Sequence, residues 1–228
     1  MPGAAEAIIY QNFKITLPSI SKNMHLDILN SGQKQLLPLL SKFKKEFYLV
    51  GGTAIALHKG HRLSIDFDLF KNGSINPKKI TDTFKKNNEQ ILVTLNRDGQ
   101  LNLICREVKF TFFEFEYEVP HPVLIENSIT IPSLLDLAAM KAFALGRRSK
   151  WKDYVDLYFI IKGHYNIAEI STRAQELFGE LFSEKLFRGQ LNYFEGISFD
   201  EQVEFMPGFE VSEQEVKEFL IDAALTGF

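Results

Sequence analysis

The sequence predicts an α+β protein in which a mixed sheet flanked by helices is followed by a helical C-terminal subdomain. Alternating apolar and polar residues, typical of strands, are frequent up to about residue 119, and helical periodicity dominates after Pro120 and Pro122. The chain has 228 residues, 45% hydrophobic and 24% charged, as in folded proteins. We therefore predict an N-terminal extension at residues 1–30, an α+β core at 31–120 and a helical subdomain at 121–228.

The elements of the first half follow from periodicity and from residues that end or begin helices. Gly51 and Gly52 end a short apolar strand, and Gly60 stands where a helix end favours glycine. Pro77 takes the first position of another helix, where proline is common. The predicted helices are 33–47, 53–59 and 76–87, and the predicted strands are 47–50, 65–70, 91–95, 101–106 and 108–117.

The second half is predicted to be helical. Ser133 precedes Asp136 by three residues, and Ser212 precedes Glu215 by three, an arrangement like a capping box. The helices expected here are 133–145, 150–162, 166–181 and 213–225.

Charge is distributed unevenly along the chain. The net charge of −3 and the pI near 6.0 exclude a basic nucleic-acid coat or membrane-surface protein. Residues 1–168 carry 22 basic and 16 acidic side chains, whereas residues 169–228 carry 4 and 13. Either the basic part binds an anionic partner or the acidic segment packs against it. A single cysteine and the absence of an apolar run of ~18 residues predict a cytoplasmic protein without membrane segments.

A double glycine and an acidic pair lie on either side of one short helix. Gly51 and Gly52 let a ligand approach the backbone, and the N–H groups that open a helix can bind phosphate. Asp66 and Asp68 are two residues apart on a strand, so both carboxylates leave the same face. Close carboxylates repel unless a cation or water screens them, and Mg²⁺ suits such a pair. Separately these residues fit a turn and a solvated strand; together they predict a nucleotide site.

The spacing of these residues resembles a known family. The Gly-Gly-Thr of residues 51–53, followed after a dozen residues by Asp-Phe-Asp-Leu-Phe at 66–70, is similar to the signature of AbiEii-type nucleotidyltransferases. These are abortive-infection toxins within the DNA polymerase β-like superfamily. Arg62 and Ser64 fall where the family commonly has Arg-x-Ser. The helical motifs at 136–158 extend the resemblance, which covers roughly residues 45–162.

Lys141 lies on the apolar face of its predicted helix. A lysine there must find an anion or lose its charge, unless its stem covers apolar surface while the amine reaches solvent. On the next helix, Asp153 is predicted to be buried or to face a cleft, and Asp156 to lie on a more polar edge near Lys152. Lys141 either pairs only with Asp153 or binds a triphosphate that Asp153 helps to orient. The basic run that includes Arg147, Arg148, Lys150 and Lys152 either extends the positive surface for a polyanionic acceptor or forms a solvated loop.

The resemblance implies Mg²⁺-dependent transfer of a nucleotidyl group from an NTP to a hydroxyl. The implied acceptor is an RNA end, such as that of tRNA, and the implied partner is a cognate antitoxin. In this assignment Asp66 and Asp68 hold the metal and form the catalytic set with Lys141 and Asp153. The nucleotide-binding residues implied are Gly51, Gly52, Thr53, Arg62, Ser64 and Lys141.

One position departs from the family pattern. Polymerase β-like enzymes are similar in using a third metal-binding carboxylate on a later strand, where this chain has Thr111. Glu114 and Glu116 are near, but strand alternation places them on the opposite face unless a bulge intervenes. A catalytically weak or inactive nucleotide-binding or protein-interaction module therefore stands as the alternative to an active enzyme.

Overall fold

The computed structural model describes residues 19–20, 24–145, 147 and 150–226. Within them there are eight strands, which form two sheets, and eight α-helices. The strands are β1 (Ser19–Ile20), β2 (Tyr48–Val50), β3 (Phe67–Lys71), β4 (Leu92–Arg97), β5 (Gln100–Cys105), β6 (Val108–Glu114), β7 (Val123–Ile125) and β8 (Ile129–Ile131). The helices are α1 (Ser31–Leu40), α2 (Gly51–Lys59), α3 (Pro77–Lys86), α4 (Leu134–Leu145), α5 (Trp151–Gly163), α6 (Ile167–Phe178), α7 (Glu184–Leu191) and α8 (Glu213–Leu225).

The larger sheet has the strand order β2-β3-β6-β5-β4. Strands β3 and β6 are parallel, whereas the other neighbours pair antiparallel, so the sheet is mixed. Its register sets Asp68 of β3 directly beside Thr111 of β6. The smaller sheet joins β1, β7 and β8. A mixed sheet flanked by helices and followed by a helical region confirms the predicted α+β fold.

Capping residues account for the starts of several helices. The side chain of Asn30 accepts a hydrogen bond from the backbone of Gln33, whose side chain bonds back, forming a capping box that opens α1. Asn76 caps α3 with Pro77 at its first position, and Ser212 caps α8. The helix α1 ends at Leu40, earlier than predicted, because the next turns close by i→i−3 hydrogen bonds.

Three features differ from the sequence predictions. The strands β7 and β8 and the helix α7 were not predicted, because three-residue strands are too short to show alternation and α7 spans only eight residues with three apolar ones. Ile65 was expected to share the buried face of the strand, but it is 56% exposed. The regular strand begins only at Phe67, so alternation does not extend back to Ile65.

Each face of the larger sheet has a different neighbour. On one face Phe110 and Phe112 pack edge-on against Phe43 and Phe84, from the turn after α1 and from α3. Because side chains alternate along β6, Thr111 points the other way. That second face lies towards α4 and α5, which are themselves packed against α2. None of the described helices has the length and hydropathy needed to cross a bilayer.

Candidate active site

A cleft of about 1040 Å³ lies between the second face of the sheet and the helices α4 and α5. On the sheet side it is lined by Asp66, Asp68 and Thr111. On the helical side it is lined by Lys141 of α4 and Asp153 of α5. The fold thus brings acidic residues of the first motif opposite the charged pair of the second, although the two motifs are far apart in sequence.

The acidic pair is positioned by β3. Phe67 and Leu69 are completely buried, so the alternating Asp68 projects to the other face, and Asp66 lines the same cleft just before the strand begins. Both carboxylates are partly exposed. Their oxygen atoms therefore meet the cleft rather than the core.

The two glycines of the first motif have different neighbours. Gly51 has a φ of +73°, and a Cβ added there would lie 2.4 Å from Asp68 Oδ2. Only glycine allows both this backbone conformation and this close approach of the carboxylate. A Cβ on Gly52 would lie 2.3 Å from Arg62 Nη2, so Gly52 makes room for a buried guanidinium. Gly51 lines the cleft and Gly52 faces the structure behind it.

Thr53 and Ser64 brace the loop that carries Asp66. Thr53 is buried, and its hydroxyl lies 2.8 Å from that of Ser64 and contacts the backbone carbonyl of Asp66. The side-chain Nε2 of Gln33 donates a hydrogen bond to the backbone carbonyl of Ser64 at 2.8 Å. Although the motif assigns Thr53, Ser64 and Arg62 to nucleotide binding, none of the three lines the cleft.

A buried ion network lies behind the helical wall, with Asp156 at its centre. The Nε and Nη2 atoms of Arg62 donate to the two carboxylate oxygens of Asp156 at 2.7 and 2.9 Å. Lys141 Nζ lies 3.1 Å from Asp156 and also contacts Asp153, and His61 Nε2 lies 2.8 Å from Asp156. The predicted placement of Asp156 on a more polar edge was therefore wrong, because partners from the α2–β3 loop cover that edge. Its role was missed because nothing in its own helix reveals those partners.

The network sets the protonation of its members. Burial by itself would raise the pKa of Asp156, but the cations Arg62 and Lys141 outweigh it and hold that pKa well below its ordinary value. Burial lowers the pKa of His61, although the neighbouring Asp156 opposes this shift. His61 is therefore neutral at pH 7 and Asp156 is ionised.

Three residues of the basic run, Arg147, Lys150 and Lys152, line the cleft, and the fourth, Arg148, lies outside the described residues. Lys150 and Lys152 both form ion pairs with Glu201. Burial, reinforced by the repulsion of Arg62, lowers the pKa of Lys152, whereas the attraction of Asp66 opposes the shift. At this point the acidic C-terminal segment packs against the basic part of the chain. Sequence reasoning missed Glu201, which belongs to no motif.

Thr111 stands where the sequence resemblance implies a third carboxylate, and it lies in register with Asp68. Glu114 and Glu116 line the same cleft as Thr111, so their predicted placement on the opposite face was wrong. Glu114 is the last residue of β6 and Glu116 lies beyond it, where regular alternation has ended. Among the described residues, however, no group of three or more His, Cys, Asp and Glu is arranged to hold a metal ion. Asp66 and Asp68 therefore line the cleft without a third such residue grouped with them in the described part of the chain.

Known proteins share both sequence and fold with this chain. Residues 36–225 match the family described as nucleotidyl transferase AbiEii toxin, Type IV TA system. The uncharacterised protein aq_aa25 of Aquifex aeolicus (strain VF5) is 30% identical over 187 residues, covering 76% of this chain and 84% of that protein.

Two solved structures share the fold at low sequence identity. The nucleotidyltransferase toxin MenT4 (Rv2826c) of Mycobacterium tuberculosis H37Rv aligns with a TM-score of 0.56 at 13% identity, over 85% of this chain and 80% of that one. JHP933 of Helicobacter pylori aligns with a TM-score of 0.53 at 17% identity, over 90% and 92%. The family match and the sheet-and-helix cleft lead to one conclusion: this chain belongs to the AbiEii family of nucleotidyltransferase toxins.

Proposed function

We propose that this nucleotidyltransferase moves a nucleotidyl group from an NTP to a hydroxyl of an RNA acceptor, with Mg²⁺ as cofactor and pyrophosphate as leaving group. The strongest support is that Asp66 and Asp68 line the same cleft as Lys141, on the opposite wall. Ligand sites occupy about 300–1,000 Å³, so a cleft of about 1040 Å³ accommodates a nucleotide and the end of an acceptor.

The chemistry of the sheet wall fits a magnesium ion. Asp66 and Asp68 offer hard carboxylate oxygens, and the missing side chain of Gly51 leaves room for the carboxylate of Asp68. Mg²⁺ usually takes one or two carboxylates and completes its shell with water and substrate phosphates. When bound, Mg²⁺ supplies charge neutralisation at the phosphate oxygens and makes the phosphorus more electrophilic.

The remaining residues position the nucleotide. The side chain of Val50, the residue before α2, makes no capping hydrogen bond, so the backbone amide of Gly51, which lines the cleft, can donate to a phosphate oxygen. Gly52 and Thr53 support the site from behind, because Gly52 makes room for Arg62 and Thr53 contacts the backbone of Asp66. Lys141 pairs with the triphosphate, and Asp153 holds the lysine and orients the triphosphate or the attacking group. Arg62 and Ser64 act indirectly in this proposal, since neither lines the cleft. Arg62 binds Asp156, which pairs with Lys141, and Ser64 contacts Thr53, which in turn contacts the backbone of Asp66.

In the transfer itself, the acceptor hydroxyl oxygen forms a bond to the α-phosphorus as the bond to the pyrophosphate oxygen breaks. The hydroxyl proton leaves to water, and negative charge accumulates on the departing pyrophosphate. The ammonium of Lys141 stabilises that charge in a partly enclosed cleft, where electrostatic attraction is stronger than in bulk water.

Two observations support the proposed acceptor and partner: the lysines at the edge of the cleft and the description of the family. Lys150 and Lys152 border the cleft and suit a polyanionic acceptor such as an RNA end, including that of tRNA. A type IV toxin–antitoxin family supports a cognate antitoxin as the partner that restrains the activity. We place this reaction in the cytoplasm, where NTPs and RNA are found.

The alternative is a nucleotide-binding or protein-interaction module with weak or no turnover. Thr111 favours it, because a threonine beside Asp68 leaves the site with two carboxylates instead of three. Loss of a second metal would weaken activation of the attacking hydroxyl more than it would weaken nucleotide binding.

Label transfer separates the two functions. Purified protein is incubated with each α-labelled NTP, Mg²⁺ and total RNA, and the label in RNA is measured. We expect transfer by the wild type, its loss on chelation with EDTA, and a fall of about 100-fold or more in Asp66→Asn.

Asp82→Asn is the matched control, because this acid lies on α3, whose Phe84 packs against the sheet face opposite the cleft. It should transfer label at the wild-type rate. Nucleotide binding without any transfer by the wild type would contradict the enzyme and support the module.

A further inference from the structure

An acidic segment crosses beside the cleft near its basic rim. We name residues 195–206 the acidic strap; its acids are Glu195, Asp200, Glu201 and Glu204. At one end, the amide of Trp151 in α5 donates to the carbonyl of Ser198 at 3.0 Å. At the other, the amide of Leu63 donates to the carbonyl of Glu204 at 2.9 Å. The backbone of the strap is thus hydrogen-bonded both to α5, which carries Asp153 of the helical wall, and to the loop that leads to Asp66 of the sheet wall.

Between these attachments, the side chain of Glu201 contacts two lysines of the cleft. Its carboxylate lies 2.5 Å from Lys150 Nζ and also pairs with Lys152. The exposed fractions of the side chains are 40% for Glu201, 37% for Lys150 and 21% for Lys152. One carboxylate therefore neutralises two cations that line the cleft, at a place open to solvent.

We propose that Lys150 and Lys152 form a phosphate subsite at the rim of the cleft, and that Glu201 occupies this subsite until a phosphate displaces it. The ligand is a phosphate group, supplied either by the RNA acceptor or by the nucleotide. The inference rests on the proposed function for the identity of its ligands, but not for the existence of the subsite.

Displacement of Glu201 is physically simple. Partly exposed ion pairs contribute little to stability, because water screens them and ordering long side chains has an entropic cost. A phosphate presents several acceptor oxygens to both lysines, whereas the carboxylate has two. Since the strap is held by backbone hydrogen bonds on both sides of Glu201, only its side chain has to rotate away.

The test is Glu201→Gln, which preserves shape and removes the charge. Binding of a short single-stranded RNA oligonucleotide and of each NTP is measured separately at several salt concentrations. We expect about 3–10-fold tighter binding of at least one probe, because the lysines become available. We also expect the slope of log K against log salt to become more negative by about 1, because the freed lysines release further counterions. The probe that gains shows whether acceptor or nucleotide supplies the phosphate.

Two further variants make the result specific. Glu204→Gln removes the same charge from the strap at an exposed acid that forms no ion pair with the described lysines, and it should leave binding unchanged. Lys150→Gln/Lys152→Gln should weaken binding about 10-fold and cancel the gain from Glu201→Gln.

The possible outcomes are distinct. Unchanged or weaker binding of both probes in Glu201→Gln would overturn the proposal, as would a gain that persists without the lysines. If the wild type transfers no label but Glu201→Gln still binds a probe more tightly, the proposed function fails and the subsite stands.

Discussion

The sheet wall of the cleft and its helical wall carry charge in different ways. On the sheet wall, Asp66 and Asp68 are partly exposed and face the cleft. On the helical wall, the side chain of Lys141 is 5% exposed, and its ammonium contacts Asp153 and Asp156. Arg62 is also buried there, so the charges of two buried cations, Arg62 and Lys141, are matched by those of two buried carboxylates, Asp153 and Asp156. The acids of the sheet wall are thus open to the cleft, whereas Lys141 on the helical wall is held by buried carboxylates before any ligand binds.

The largest expected effect is on stability, from Asp156→Asn. Removing one member of a buried charge network leaves its partners buried without compensation, here Arg62 and Lys141. We expect the free energy of unfolding to fall by about 3–5 kcal/mol, measured by urea denaturation. On the sheet wall, Asp66→Asn should change it by only about 0.5 kcal/mol. Equal losses from the two variants would show that the walls do not differ in this way.

The glycine pair Gly51 and Gly73 gives the next test. Both have positive φ, but a Cβ on Gly73 meets no described atom within 4 Å, whereas one on Gly51 meets the carboxylate of Asp68. Alanine at either position should destabilise the fold by about 1–2 kcal/mol through backbone strain. Only Gly51→Ala should also displace Asp68 and reduce label transfer, by about 10–100-fold. Equal rates of label transfer in the two variants would show that Gly51 has no role in the site.

The smallest expected effect is the pH dependence of stability. Because the pKa of His61 is lowered in the folded state, its contribution is fully present above the unfolded pKa of about 6.5. It is lost as the pH falls below this value, since the unfolded chain binds the proton first, with a slope of up to about 1.4 kcal/mol per pH unit.

Asp156 has the opposite charge type and a different pH window. Its lowered pKa maintains stability above about pH 4, and that stability is lost only in stronger acid.

Between pH 7 and 5, His61→Gln should therefore flatten the measured slope of the free energy of unfolding against pH. His25→Gln, at a half-exposed histidine outside the network, should not.

Much of the fold could be predicted because local chemistry determines it. The predicted bounds of the last helix agree with Glu213–Leu225, because Ser212 caps it and an apolar stripe follows. The turn at Gly99 and the alternation around it likewise identify β4 and β5. Hairpin strands of three residues escaped prediction, since they are formed by pairing and not by their own pattern.

The site could be predicted only as far as its motifs extend. The sequence places Thr111 at the position where the resemblance implies a third acid, but only the parallel pairing of β3 and β6 shows that it lies beside Asp68. The burial of Asp156 could not be predicted from helical periodicity, because the guanidinium that neutralises it comes from a loop 94 residues earlier. Glu201 offers no pattern at all, and only the folded strap brings it to the lysines.

The separation between Arg62 and Asp156 has a consequence for synthesis of the chain. A ribosome adds about 5–20 residues per second, so the 94 residues between them take about 5–20 s to make. During this interval the nascent chain carries the guanidinium without the carboxylate that permits its burial. The helical wall can therefore assemble only after α5 has left the exit tunnel, and a toxin built in this order gains its complete cleft late in translation.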